Sequence, residues 1–281
     1  VTKALTQRLL TVAIGAPIAL AVVLYLPGDL AFPLFFLVFF LAAVEFLRIA
    51  RAFAPSAPLG SLLALTPLVA AGAFFLCRHG GGTDDLGFWA ILGPGVLVTV
   101  TTCIILFSRT EVREGMVAVG VLTFAVPYFA LPPVALYLLQ RLDPWLVVLL
   151  LAIVWLGDSA AFFVGRAVGR HKLARVVSPN KSWEGAAASL AAAVLAAAAW
   201  SWLRLGQVGW ELLAVAAVTS AAAQVGDLVE SLFKRGAGVK DSSRLLPGHG
   251  GFYDRLDAMF LATPIFLAGL HLLGVDGLIP R

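Results

Sequence analysis

The chain has 281 residues, 60% of them hydrophobic and 13% charged, with a mean hydropathy of +0.95. A soluble globular domain carries about a quarter charged residues, so this composition excludes one and predicts an all-α, polytopic integral membrane helix bundle. The net charge of +4 fits loops that lie against anionic headgroups, and no nucleic-acid motif is present.

Apolar windows long enough to cross roughly 30 Å of hydrocarbon recur at 9–27, 30–47, 59–77, 86–107, 115–139, 144–165, 184–203, 210–233 and 254–274. They predict about nine transmembrane helices. The first window follows Lys3 and Arg8 but lacks a cleavage pattern, so it reads as a retained helix. Two windows are less regular: 115–139 is interrupted by Pro127, Pro132 and Pro133, and 184–203 is rich in alanine. Glu45, beside Arg48 at the end of the second window, reads as an interfacial charge or one half of a local pair. Cys77 and Cys103 fall near opposite membrane faces, which argues against a disulfide and leaves them as packing residues.

Lys and Arg accumulate on the cytoplasmic side of membrane proteins. With the N-terminus cytoplasmic, only Arg78, Arg141, Arg204 and Arg281 of the 20 basic residues fall outside. This predicts a multi-pass protein of the cell inner (plasma) membrane whose polar loops 166–183 and 234–253 face the cytoplasm. Residues 1–143 then read as scaffold, lipid groove or oligomer interface, and residues 144–281 as the half that carries the chemistry.

An ionisable residue inside a span costs about 2.5–3.5 kcal/mol and needs a reason. Asp158 on the sixth predicted helix and Asp227 on the eighth both lie roughly 10 Å below the inner boundary. Asp254 and Asp257 open the ninth helix one turn apart, so the four carboxylates are expected to line one cleft. On the eighth helix Gln224, Asp227, Glu230, Ser231 and Lys234 share a face at helical spacing, either as a polar seam between helices or as the wall of a site.

The segment from Ser231 to Asp257, SLFKRGAGVKDSSRLLPGHGGFYDRLD, is the densest run of charge and glycine in the chain. Lys234, Arg235 and Lys240 suit phosphate, and the glycines, among them Gly250 and Gly251, let backbone amides approach it. The other inner loop adds Lys172 and Lys181. Oxygen ligands without His or Cys favour a hard cation, and Mg²⁺ commonly uses one or two carboxylates beside substrate phosphates. That chemistry suits a nucleoside triphosphate. Neither GxxxxGK[ST] nor GxGxxG occurs in the basic loops, so a P-loop or dinucleotide fold is not indicated.

The run through Lys234-Arg235, Lys240-Asp241, His249-Gly250-Gly251, Asp254-Arg255 and Asp257 resembles the signature of phosphatidate cytidylyltransferases, also called CDP-diacylglycerol synthases. Gly157-Asp158-Ser159, His171-Lys172-Leu173, Ser178 to Gly185, and Gly226-Asp227-Leu228 with Glu230 are similar to the same family. Ala160, Asn180 and Ser182 depart from its common residues, glycine at the first two and threonine at the third, without removing any candidate ligand or cation. The resemblance covers about 155–260.

It implies that CTP and phosphatidate give CDP-diacylglycerol and pyrophosphate in phospholipid biosynthesis, with the lipid phosphate attacking the α-phosphorus in line. The candidate catalytic residues are Asp227, Asp254, Asp257, Lys234 and Lys240, the three aspartates holding Mg²⁺ with room for a second cation. Candidate substrate contacts are Asp158, Ser159, Lys172, Lys181, Ser182, Glu230, Ser231, Arg235, Asp241, His249, Gly250, Gly251 and Arg255. His249 either donates to a phosphate or orients its turn. Asp158 and Ser159 either serve the site or form a packing contact, and Arg255 is either a substrate contact or a structural ion pair. The resemblance further implies a homodimer in the bilayer. Two other readings remain: a CTP-dependent lipid kinase of the polyprenol type, and a cation-coupled transporter. The transporter fits less well because the carboxylates lie near one face and no inverted repeat is evident.

Overall fold

A backbone in lipid must satisfy its polar groups internally, so apolar windows of this length fold as helices. The computed structural model describes residues 15–79, 82–243, 245 and 250–275; Lys3, Arg8, Arg244, His249 and Arg281 lie outside the described residues. The helices are α1 (Gly15–Tyr25), α2 (Gly28–Ala50), α3 (Leu62–His79), α4 (Gly82–Leu106), α5 (Val112–Leu142), α6 (Pro144–Val168), α7 (Trp183–Leu205), α8 (Trp210–Gly236), α9 (Tyr253–Leu256) and α10 (Met259–Leu272).

Seven segments among the described residues are long and apolar enough to cross a membrane: Gly28–Ala50, Leu59–Arg78, Val112–Leu142, Pro144–Val168, Trp183–Leu205, Trp210–Gly236 and Tyr253–Leu272. The expected windows 9–27 and 86–107 lie partly outside the residues whose side chains are described, and within those residues Gly15–Tyr25 and Gly93–Leu106 are apolar helical stretches; the other seven of the nine expected spans are supported by length and composition.

The proline-marked window is one helix of 31 residues, longer at both ends than 115–139. Prolines are tolerated in helices that are enclosed by others, and α5 is the hub of the bundle, packed against α2, α3, α4, α6 and α10. The alanine-rich window is a full helix too. Gly185, Ser189, Ala193 and Ala197 recur every fourth residue and are all buried, which lets α7 lie close to α6 and α8. Close approach of small residues is the main source of attraction between helices in lipid, where apolar burial alone offers little. Ser189 adds a hydrogen bond to Ser220 of α8 at 3.1 Å.

Helix ends follow local chemistry. Asp143 accepts from the Trp145 amide at 3.0 Å, with Pro144 in the first turn of α6, and Arg204 from the end of α7 pairs with the same carboxylate at 2.9 Å. The loop expected at 166–183 is more ordered than a loop. Strands β1 (Lys172–Ala174) and β2 (Ser178–Ser182) form an antiparallel hairpin, Lys172 opposite Ser182 and Ala174 opposite Ser178. The all-α expectation thus needs this small addition. The expected ninth helix is divided at Asp257 and Ala258, which separate α9 from α10. Cys77 and Cys103 are both free, and Cys103 is exposed instead of packed.

An aromatic core sits where α2, α5, α8, α9 and α10 meet. Phe46 lies 5.1 Å from Phe233 and 5.6 Å from Tyr253 between ring centroids, and Phe260 packs on Phe129 and Tyr128. Edge-on and offset contacts of this kind suit the ring quadrupoles. The cluster locks the start of α9 against α2, directly beneath the polar residues described next.

Candidate active site

The polar stripe predicted on α8 keeps its face toward α9, α10 and the hairpin. Asp227 lies one turn above Glu230 and Ser231, and the Ser231 hydroxyl donates to Asp227 Oδ1 at 3.4 Å. Gly226 permits the approach from α10: a Cβ there would lie 2.6 Å from the Asp257 carbonyl oxygen and 3.3 Å from that of Ala258. With α10 this near, one carboxylate oxygen from each of Asp227, Glu230 and Asp257 lies within 4.8 Å of the other two. The Asp257 carboxylate also accepts from the Ala258 amide at 2.8 Å.

Lys181, at the end of β2, enters this group with its Nζ 2.7 Å from Asp227 Oδ2. It also donates to the Gln224 carbonyl at 3.4 Å. Asp158 on α6 is exposed and counts Asp227 and Lys181 as electrostatic neighbours, while Asp257 senses both Asp227 and Asp158. Four elements distant in sequence therefore contribute to one acidic centre, which Lys181 meets at Asp227 and Lys234 meets at Glu230.

Asp254 and Asp257 have different contacts. Asp254 Oδ1 accepts from Lys234 Nζ at 2.7 Å, and Oδ2 accepts from the Ser242 amide at 3.0 Å, the Ser242 hydroxyl at 2.8 Å and the Gly251 amide at 2.8 Å. These donors occupy both oxygens and tie the two limbs of the basic loop to the start of α9. Lys234 is equally committed. Its Nζ lies 2.6 Å from Glu230 Oε1 and 2.7 Å from Asp254 Oδ1, and its side chain is only 12% exposed. A lysine between two buried carboxylates balances their charge first, since an unpaired buried charge is costly.

The remaining expected residues divide by exposure. Arg235, Lys240, Asp241, Lys172 and Arg255 are exposed, and Arg235 reaches the Val239 carbonyl at 3.4 Å. The four cations lie on β1, in the last turn of α8, in the loop after it and on α9, elements that adjoin the acidic centre, and make a basic rim with Asp241 within it. Ser182 faces inward: it is buried and accepts from the Gly185 amide at 3.1 Å as the N-cap of α7, the ordinary service of a serine at a helix start. Ser159 donates to its own helix at the Trp155 carbonyl, 2.8 Å away. The Gly251 amide is taken by Asp254, and Gly250 adopts φ +79°, a left-handed conformation that glycine meets without strain.

Glu45 departs most from its sequence reading. It is 3% exposed and makes no interfacial pair with Arg48. Its Oε2 accepts from the Tyr253 amide at 2.8 Å and shares with Asp254 Oδ2 the one proton of the Ser242 hydroxyl, 2.9 Å away, and its Oε1 accepts from the Ser243 hydroxyl at 2.6 Å. The sequence holds one signal for this, a lone acid near the end of an otherwise apolar helix, which demands a partner. Ser242 and Ser243 follow Lys240-Asp241 directly and were equally open to notice.

The whole chain also resembles known proteins. Residues 6–273 match the profile of a family described as the cytidylyltransferase family. A Brucella suis protein named phosphatidate cytidylyltransferase is 40% identical over 187 residues, covering 64% of this chain and 67% of that protein. Proteins of the same name from Haemophilus influenzae and Staphylococcus epidermidis are 44% identical over 135 residues and 46% identical over 114. Those matches cover 44% and 40% of this chain, and 46% and 44% of the two relatives.

Proposed function

Since the chain belongs to the cytidylyltransferase family, we propose that it transfers the cytidylyl group of CTP to phosphatidate, giving CDP-diacylglycerol and pyrophosphate. The observation that carries this reading is the convergence of Asp227, Glu230 and Asp257 oxygens beside Lys181, below a basic rim. An oxygen of the lipid phosphate forms a bond to the α-phosphorus as the bond to the β-phosphate oxygen breaks, and pyrophosphate leaves. Little covalent work falls to the protein in such a step; positioning and charge compensation dominate.

The three acidic oxygens suit a hard cation. Mg²⁺ binds oxygen at about 2.0–2.1 Å in octahedral geometry, so ligand atoms across its sphere stand about 4.2 Å apart, compatible with a set whose members all lie within 4.8 Å. Asp227 and Asp257 would hold it, with Glu230 as the third oxygen and space at the exposed Asp158 for a second cation. When bound, the ion offsets charge on the triphosphate and the attacking phosphate.

Lys181, held by Asp227, is placed to donate to a phosphate oxygen in the same cleft. Lys240, Arg235 and Lys172, being exposed, receive the outer phosphates and the departing pyrophosphate. Asp254 and Lys234 shape the site instead of touching substrate: the lysine neutralises Glu230, and the aspartate anchors the loop that carries Lys240. Ser182 and Gly251 likewise support the walls.

The site belongs at the cytoplasmic face on the reading that basic loops stay inside, where soluble CTP and bilayer phosphatidate both reach it. Residues 144–281 then form the catalytic half of a multi-pass inner-membrane homodimer, with residues 1–143 as its support. To test the reaction, CTP labelled in the cytosine ring or at the γ-phosphate is incubated with protein, phosphatidate and Mg²⁺. Ring label in the lipid phase supports cytidylyl transfer; γ label in lipid replaces it with a kinase, and no label in lipid overturns both.

A further inference from the structure

Glu45 brings a carboxylate from α2 to a loop 197–208 residues away in sequence. The surroundings are unusual for a buried acid. Both oxygens are engaged by Ser242, Ser243 and Tyr253, all neutral donors, and no cation pairs with it among the described residues. Gly251 lies so near that a Cβ there would overlap the Glu45 carboxylate and the Ser242 hydroxyl. The contacts sit on both limbs of the loop: Ser242 and Ser243 follow the exposed Lys240 and Asp241, and Tyr253 begins α9.

The Ser242 hydroxyl stands between two carboxylates, 2.9 Å from Glu45 Oε2 and 2.8 Å from Asp254 Oδ2. Asp254 alone could close the loop against α9, but nothing in that contact fixes where the closed loop stands relative to the rest of the bundle. Glu45 supplies that reference, because α2 is locked by Phe46 against Phe129, Phe233 and Tyr253. We propose that Glu45 is a positioning residue that clamps both limbs of the basic loop onto α2 and thereby sets the place of Lys240 over the nucleotide phosphates.

The substrate part of this inference rests on the CTP reading; the clamp itself does not. Glu45→Gln keeps the size of the side chain and removes one of its two acceptor oxygens, and Glu45→Asp keeps the carboxylate one methylene short. In purified full-length protein, Glu45→Gln raises KM for CTP about tenfold, in line with the sensitivity of such sites to displacements near 1 Å, and leaves KM for phosphatidate within about twofold. Glu45→Asp restores part of the loss, and Ser243→Ala shifts KM for CTP in the same direction by less. Trypsin provides a readout independent of the reaction: cleavage after Lys240, which requires the loop to open, accelerates in Glu45→Gln at an unchanged thermal midpoint.

A Glu45→Gln protein with wild-type KM for CTP and wild-type cleavage after Lys240 overturns the proposal. So does one that loses active fraction and thermal midpoint together at constant KM, since that is a merely structural role. Should wild-type protein transfer no cytidylyl group at all, the reaction reading fails, and the cleavage rates alone then decide whether the clamp exists.

Discussion

Gly226→Ala is the sharpest probe of the acidic centre, because the atoms that a new Cβ would meet are all backbone. The Asp257 carbonyl oxygen would lie at 2.6 Å, the Ala258 carbonyl oxygen at 3.3 Å and the Ala258 Cα at 3.4 Å. No rotamer change relieves such contacts, so α8 and the start of α10 must separate by about 0.8 Å to regain ordinary van der Waals distance. Overpacking of this size costs about 1–3 kcal/mol, within what a bundle sealed on α5 withstands. The displacement falls on the two carboxylates that matter, since Asp227 is the next residue and Asp257 owns the carbonyl that is pushed. With misplacements near 1 Å costing about 10²-fold in rate, turnover in the labelled-CTP assay should fall about 30- to 100-fold, and the Mg²⁺ concentration for half-activity should rise. Gly72→Ala is the matched control: nothing lies within 4 Å of its Cβ, and it should retain full activity. A Gly226→Ala protein that elutes and melts normally and turns over within about twofold of wild type would refute the argument.

Other substitutions separate roles that the sequence left joined. Asp257→Asn should lower activity in a way that excess Mg²⁺ partly restores, whereas Asp254→Asn should lower it without changing the Mg²⁺ dependence; identical Mg²⁺ titrations for the two variants would undo the division between ligand and anchor. Lys234→Ala strands Glu230 and Asp254 as buried carboxylates, at about 3–5 kcal/mol, and should markedly lower the thermal midpoint, whereas exposed Lys240→Ala should keep the midpoint and weaken CTP use. Equal midpoints for the two lysine variants would contradict the ion pairs assigned to Lys234. At the far end of the bundle Asp143→Ala removes the α6 cap and the Arg204 pair, and should cost about 1–2 kcal/mol of stability with KM values unchanged; a shift in KM for CTP would show that the two ends are coupled.

Much of the bundle was legible because its cause is local. Apolar windows of about 20 residues have one low-energy backbone in lipid, so helices arise where hydropathy alone places them, even across Pro127, Pro132 and Pro133. The α8 stripe was equally legible, since the pitch of one helix puts Asp227, Glu230, Ser231 and Lys234 on a common face. The hairpin at 172–182 was not, because its polar residues lack the alternation that marks a strand.

Side-chain partners across elements were beyond reach for a different reason. Helical periodicity orders residues around one axis but says nothing of the rotation and depth at which two axes meet. Those depend on contacts such as Gly226 against the Asp257 and Ala258 carbonyls, which bring Asp257 to Asp227 and Glu230 while Asp254, three residues earlier, turns to Lys234 and the loop. The same packing set Lys234 between Glu230 and Asp254, a pairing that the pitch of α8 alone does not contain. It also carried Glu45 from an apparent surface position to a carboxylate enclosed by Ser242, Ser243 and Tyr253. Composition and spacing determined which chemistry the chain can offer; close packing between helices decided which charged groups meet one another and which remain open to a substrate.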